Sequence, residues 1–277
     1  MKTVVITGAN SGIGFATAQK FIQSGHHVIL ACRNPAKAQQ AKQQLLTAYS
    51  DAKVDTLEID LNSLTSVIHA ADQLTANFEK IDVLVNNAGL MSPQLESTAE
   101  GFEKQIGVNY LGPYVFTHRL LPLLKKSEAG RIINLASMMH ILGNIHYDQF
   151  HAKDVEKYNG VMSYGNSKLA NLLFSNALAE KLKETSITSN ALHPGGVDSE
   201  IYRDLPKYQY YAMKPFLISP NKPADLIAKM ALDNSWAKRS GDYVSLQTPA
   251  FRSRRAKNPQ LAQDLYHYTH DLLQAYL

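Results

Sequence analysis

"TVVITGANSGIG", residues Thr3 to Gly14, decides how this chain folds. Val4, Val5 and Ile6 form an unbroken apolar run, the mark of a short strand from Thr3 to Thr7 that is buried on both faces. Gly8 ends the run, and a helical pattern follows from Phe15 to Ser24, with Gly25 as its stop. A strand, a glycine-rich turn and a helix start make an anion cradle. With few side chains in the way, backbone N–H groups and the positive helix end can approach a pyrophosphate. An ordinary glycine turn is the alternative reading. The spacing Gly8-x-x-x-Gly12-x-Gly14 also departs from the common Gly-x-Gly-x-x-Gly fingerprint.

Working outward, His26 to Ala31 reads as a second strand that closes a βαβ unit. A site built for NAD places Asp or Glu about 20 residues past the glycines, where it accepts from the ribose hydroxyls. Cys32 and Arg33 occupy that neighbourhood. A guanidinium pairs with a 2'-phosphate, which points to NADP(H), unless Arg33 is a solvated loop residue. Asn34 and Pro35 start a helix that runs to Ala48. Val54 to Ile59 is a third strand ending at Asp60 and Leu61, where Asp60 can accept from an adenine amino group or cap the next turn. Ser63 caps a helix from Leu64 to Phe78, and Ile81 to Val85 is a fourth strand followed by Asn86, Asn87, Ala88 and Gly89. This alternation predicts an α/β fold, one doubly wound parallel sheet of about seven strands with helices on both faces, as a single Rossmann domain over residues 1–277.

The second half carries the chemistry. Ala99 to Leu124 reads as a helix kinked at Pro113, with Asn109 just before the kink, where it either serves the site or satisfies a bent backbone. Arg131 to Ala136 is a fifth strand that delivers Ser137, and residues 138–163 form a loop beside the site. His140, His146 and His151 in that loop lack metal-ligand spacing and read as solvated or capping residues; no metal is expected. Tyr164 and Lys168, four residues apart on a helix from Ser163 to Lys183, project from one face. That pair alone also occurs by chance on surface helices. Ile187 to Leu192 is a sixth strand with the loop His193 to Ser199 after it. The tyrosine-rich segment 200–220 reads as a substrate lid or as packed irregular chain. A short helix from Pro223 to Leu232 and a last strand from Asp242 to Leu246 precede a helix over about 258–276. Its stripe of Leu261, Leu265, Tyr268, Leu272 and Tyr276 suits the protein's own body, a second subunit or a membrane surface.

Bulk properties exclude several classes. A hydrophobic share of 45% over 277 residues supports a large core, and 28 basic against 24 acidic residues is too even for a nucleic-acid binder. The single cysteine, Cys32, rules out an internal disulfide framework and fits a reducing compartment. The chain opens directly on its first strand and has no run of 18 apolar residues, so a soluble cytoplasmic protein is expected. Small or lipophilic molecules are the expected partners.

With the Gly8 to Gly14 loop, the Asn86 to Gly89 turn, Asn109, Ser137 and the Tyr164 to Lys168 stretch in order, residues 1–200 resemble the short-chain dehydrogenase/reductase family. "ACRNPAKA", "GVNYLGPYVFTHRLLPLL", "YGNSKLANLLF" and "ALHPGGV" resemble its retinol-dehydrogenase-like branch. The family's own glycine spacing is the one seen here. The resemblance assigns Gly8, Asn10, Ser11, Gly12, Ile13 and Gly14 to the pyrophosphate and Arg33, with Asn34, to the 2'-phosphate. It puts Asp60 and Leu61 at the adenine, Asn87, Ala88 and Gly89 beside the adenosine, and Pro194, Gly195 and Val197 at the nicotinamide. Ser199 stands where the family often has Thr and keeps a hydroxyl for the pyrophosphate. Tyr164 is implied as the proton donor, with Lys168 and the nicotinamide lowering its ordinary pKa of about 10. Ser137 would hydrogen-bond the substrate oxygen, and Asn109 would hold a water that relays protons from Lys168. Tyr164 and Lys168 also contact the cofactor in this scheme. Two departures stand out: Ala136 replaces a frequent Ser, and the hydrophobic anchor of the branch's membrane enzymes does not precede the first strand.

The activity implied is NADP(H)-dependent hydride transfer to or from a hydrophobic aldehyde, ketone or alcohol. A catalytically silent NADP(H) sensor and a protochlorophyllide-reductase-like enzyme are the alternatives. The helix from Ser163 to Lys183 resembles the family's dimerisation helix, and the expected state is a homodimer or a monomer.

Overall fold

Along β1 (Thr3–Thr7) successive side chains point to opposite faces, and both faces are apolar: Val4 and Ile6 enter one core, Val5 the other. The division repeats in β2 (His27–Cys32), where Val28 and Leu30 join the first core and Ile29 the second. Strands of this kind need helices on each side. The computed structural model, which describes residues 1–197, 214, 217–246 and 250–277, supplies them.

Among the described residues, β1, β2, β3 (Val54–Glu58), β4 (Val83–Asn86), β5 (Arg131–Leu135), β6 (Thr188–His193) and β7 (Tyr243–Ser245) form one parallel sheet in the order β3-β2-β1-β4-β5-β6-β7. Helices α1 (Gly12–Gln23), α2 (Pro35–Ala48) and α6 (Asn221–Leu232) enclose the first core with Phe21, Leu45 and Ile227. Helices α3 (Leu64–Asn77), α4 (Gly112–Lys125) and α5 (Gly160–Lys181) enclose the second with Leu74, Tyr114 and Leu172. Helix α7 (Pro259–Leu272) packs along α5. Strand order reverses between β1 and β4, whose register pairs Val4 with Val83 and Ile6 with Val85. The turns after these two strands therefore meet at the carboxyl edge, where such sheets bind ligands.

Three expectations change. The segment expected as a helix from Ala99 instead makes antiparallel bridges, Ser97 with Glu103 and Phe102 with His151. Its helical path begins at Lys104–Ile106, where the Glu103 carboxylate accepts from the N–H groups of Gln105 and Ile106. At Pro113, expected as a kink, the helical path changes type. The proline lies in the first turn of α4, behind a π-helical stretch, Gly107–Leu111, that contains Asn109. The cause is local: in an α-helix the carbonyl of Asn109 would accept from the N–H of residue 113, which proline lacks, and the ring excludes that carbonyl. The Gly112 N–H reaches back five residues to the Gly107 carbonyl.

The loop expected over 138–163 ends sooner, at Asn159, because α5 begins at Gly160, and residues 138–159 are ordered by short turns. They form 3-10 turns at Met138–Ile141, Tyr147–Gln149 and Ala152–Asp154, and Phe150 is buried against Tyr110 and Tyr268. The stripe of α7 also faces inward. Leu265 is fully buried, Thr269 Oγ1 and Tyr110 Oη lie 2.7 Å apart, and Arg119 Nε donates to the Tyr276 carbonyl at 3.0 Å. The apolar surface of α5 thus packs against α7 within the same chain, and Leu261, Tyr268, Leu272 and Tyr276 of the stripe are partly buried there. No described helix is long and apolar enough to cross a membrane.

His118 shows how this docking is wired. Its Nδ1 lies 2.8 Å from the Tyr114 carbonyl, which only accepts, so Nδ1 carries the proton and Nε2 accepts from Tyr266 Oη at 2.8 Å. Burial pushes its pKa down to about 4, and burial does the same to His193 at the end of β6, beside His140 and Lys168. Both are neutral in the native state, whereas the unfolded chain takes up protons near pH 6.5. Their contribution is intact above pH 6.5 and is lost as the pH falls toward 4, by about 2 kcal/mol for each histidine at pH 5. The urea midpoint should therefore drop between pH 7.5 and pH 5, and His118→Gln should flatten the dependence. An unchanged midpoint at pH 5 would contradict the neutral, buried assignment.

Candidate active site

The glycine loop adopts the backbone its sequence requires. Gly8 and Gly12 have φ of +67° and +53°, a region that side chains disfavour. Ser11 caps α1 without a side-chain hydrogen bond to it, and the first turn of α1 carries no acidic residue. A Cβ on Gly14 would lie 2.4 Å from the Gly8 carbonyl oxygen, so α1 sits directly against the end of β1. Asn10 and Ile13 complete this loop, partly exposed. Opposite, Asn87 Nδ2 donates to the Thr7 carbonyl at 2.7 Å, and the N–H groups of Asn87 and Ala88 both donate to Thr7 Oγ1 at 3.0 Å. Thr7, unremarked in the sequence beyond closing an apolar strand, is the clasp that joins the two turns.

Past β2, Arg33 is exposed and Asn34 caps α2 by accepting from the Lys37 N–H at 3.0 Å. Asp60 Oδ1 accepts from the Asn62 N–H at 3.0 Å, the turn-capping alternative, and Leu61 is buried against Gly112. Gly195, at φ +84°, turns the chain after β6, and Val197 bridges to Ile218. Pro194 is partly exposed beside it. Ser199 and most of the 200–220 segment lie outside the described residues. An uncapped helix start behind a glycine turn, set where the strand order reverses, fits the pyrophosphate of a nicotinamide dinucleotide.

Tyr164, Lys168 and Asn109 are linked on α5 and the π-helical stretch, and Ser137 follows the strand end that Lys168 holds. Lys168 Nζ sits 5.6 Å from the centre of the Tyr164 ring and donates to the Leu135 carbonyl at 3.0 Å, two residues before Ser137. That bond ties α5 to the end of β5. Lys168 is 4% exposed, and burial pulls its pKa down to about 8; Tyr164 is 8% exposed. Ser137 Oγ accepts from the Met139 N–H at 3.2 Å, which leaves its own hydrogen to be donated elsewhere. Asn109 is fully buried: Nδ2 donates to the Leu90 carbonyl (2.9 Å) and to Ser167 Oγ (3.0 Å), while Oδ1 accepts from the Leu90 N–H (2.8 Å). Ser167 Oγ in turn donates to the Tyr164 carbonyl at 2.8 Å. Asn109 therefore braces the turn after β4 against the helical turn that bears Tyr164. A Cβ on Gly89 would lie 3.2 Å from Asn109 Oδ1 and 3.3 Å from Lys168 Nζ, so the bare glycine makes room for both.

Other residues were not legible as parts of the site. Asn171 Nδ2 shares the Leu135 carbonyl with Lys168, at 3.2 Å. His140, expected to be solvated or capping, is completely buried, because its ring packs edge-on against Tyr243 with 5.2 Å between centres. A cavity of about 240 Å³ lined by Glu103, Tyr158, Met162, Ser163 and Asn166 opens on the side of α5 away from Tyr164 and Lys168, so it is separate from this cluster.

The chain is similar to several known proteins. Residues 2–209 match the family described as short chain dehydrogenase. Human retinol dehydrogenase 11 is 38% identical over 275 residues, covering 98% of this chain and 86% of the relative, and mouse retinol dehydrogenase 12 is 36% identical over 274 residues with the same coverage. An uncharacterized protein from Mycobacterium paratuberculosis superposes with a TM-score of 0.81 at 31% identity, covering 99% of this chain and 94% of its own. The Pseudomonas aeruginosa RhlG/NADP complex shares the fold, with a TM-score of 0.73 at 24% identity over 88% of this chain and 94% of that one. The chain is an oxidoreductase of the short chain dehydrogenase family, in its retinol-dehydrogenase-like branch.

Proposed function

We propose that the chain is an NADP(H)-dependent carbonyl reductase or alcohol dehydrogenase acting on a hydrophobic aldehyde, ketone or alcohol. The observation that carries this reading is the Lys168 bond to the Leu135 carbonyl, which ties the helix that bears Tyr164 to the end of the strand that precedes Ser137. A bound nicotinamide supplies or takes up the hydride. Tyr164 Oη gives its proton to the substrate oxygen as negative charge develops there, and Ser137 Oγ, already accepting from Met139, donates to the same oxygen. The Lys168 ammonium stabilises the phenolate that Tyr164 becomes. With its pKa near 8, it remains largely protonated at neutral pH and can pass a proton on. The main-chain carbonyl of Asn109, denied an N–H by Pro113, is the acceptor we assign to the water of the relay.

Apolar substrate preference is supported by the surroundings. Met138, Ile141 and Leu142 follow Ser137 and are exposed, as is Val161 one turn before Tyr164. Polar substrates would leave this rim without partners. The relatives named for retinol fit the same chemistry. The test is NADPH consumption by the purified protein with a panel of lipophilic carbonyls, and NADPH formation with the matching alcohols. Tight NADPH binding without turnover on the whole panel would select the silent sensor instead.

Cofactor choice is read separately. Arg33→Ala should weaken NADPH by roughly tenfold to a hundredfold, the range of one hydrogen bond to a charged group, and leave NADH nearly unchanged. Equal losses for both dinucleotides would remove Arg33 from the 2'-phosphate site.

A further inference from the structure

His140 has no role in the chemistry above, yet it is fully buried three residues past Ser137. Its Nδ1 lies 2.7 Å from the Ser137 carbonyl oxygen, which only accepts, so the proton is on Nδ1. Nε2 is then a bare acceptor, and it takes the N–H of Ser253 at 3.3 Å. Both ring nitrogens are used by the neutral imidazole, and burial holds the ring in that form. The Ser137 carbonyl also accepts from the His140 main-chain N–H at 3.1 Å, so one residue grips it twice.

The rest of the turn is held from two sides. A Cβ on Gly143 would lie 2.3 Å from the Gly165 carbonyl oxygen, so the turn touches α5 at the residue after Tyr164. The Asn144 N–H donates to Asn166 Oδ1 at 2.8 Å. On the other side, Arg255 donates to the Gly143 carbonyl at 3.2 Å, beside the His140 bond to Ser253. The Ser137 turn is thus clamped between the tyrosine helix and a segment more than a hundred residues downstream.

We propose that His140 is a positioning residue for the reaction: its Nδ1–H fixes the Ser137 backbone, and its Nε2 ties that backbone to residues 253–256, so the C-terminal segment sets where the serine hydroxyl points. The proposal rests on the carbonyl-reductase reading. His140→Phe keeps the ring against Tyr243 and removes both bonds; His140→Asn keeps a donor at the Nδ1 position; His140→Gln does not. In the full-length protein, His140→Phe should lower kcat by about tenfold to a hundredfold, the cost of a misplaced catalytic group, with the NADPH Kd unchanged. His140→Asn should recover most of that loss. A folded His140→Phe protein with wild-type kcat, or an Asn variant no better than Phe, would overturn the clamp. If His140→Phe does not fold, Asn must still exceed Gln in kcat, and equality overturns it. Ser137→Ala, assayed alongside, separates the failures. An inactive Ser137→Ala with a fully active His140→Phe overturns the clamp alone. A fully active Ser137→Ala overturns the serine's role, and the clamp with it.

Discussion

Tyr164→Phe is expected to lower kcat by roughly a hundredfold to ten-thousandfold, the usual contribution of a positioned acid–base group, while NADPH binding is retained. The substitution removes one oxygen and leaves the ring, which is 92% buried by its 8% exposure and sits 5.6 Å from Lys168 Nζ. Packing and the bond of Lys168 to Leu135 survive, so the loss is chemical and not structural. Ser137 can still polarise the substrate oxygen, but an aliphatic hydroxyl is a far weaker acid than a phenol and does not replace it as proton donor. Steady-state kinetics with NADPH, together with cofactor fluorescence, separate the two quantities. Turnover within tenfold of wild type would remove Tyr164 from the proton-transfer step.

Gly14→Ala tests the cradle by setting two effects against each other. At the third residue of α1, alanine should help by at most about 1 kcal/mol on helix propensity. The new methyl, however, would stand 2.4 Å from the Gly8 carbonyl oxygen and 2.9 Å from Ala9 Cα, both backbone atoms that no rotamer change can move aside. Overpacking of this kind costs about 1–3 kcal/mol, and relief requires α1 to retreat from the turn whose N–H groups would hold the pyrophosphate. The clash wins. The variant should melt below wild type, and added NADPH should raise its Tm less than it raises that of wild type. Unchanged melting and unchanged affinity would mean that the close approach is not needed for the cradle.

Much of this site was legible in the chain because it depends on contacts close in sequence. A strand of Val4, Val5 and Ile6 followed by glycines and a helix start reads as the edge of a phosphate loop more readily than as an ordinary turn, and Tyr164 and Lys168 share a helix face by spacing alone. Asn109 could be located but not explained. Its partners, Leu90 and Ser167, are 19 and 58 residues away, and the π stretch that carries it follows from Pro113 only once the helix is seen to continue through it. His140 misled for a similar reason. A histidine in a polar-looking loop reads as solvated, whereas its burial comes from Tyr243 and Ser253, a hundred residues on.

What the sequence by itself determined was the order of strands and helices, the glycine loop and the chemical identities at the strand ends, since periodicity and turn chemistry are local. Only the tertiary structure decided that β4 lies beside β1, that Lys168 reaches the Leu135 carbonyl, and that α7 packs along α5. Those outcomes depend on desolvating groups that are distant in the chain, and an apolar stripe or a lone histidine carries no mark of which surface will take it out of water.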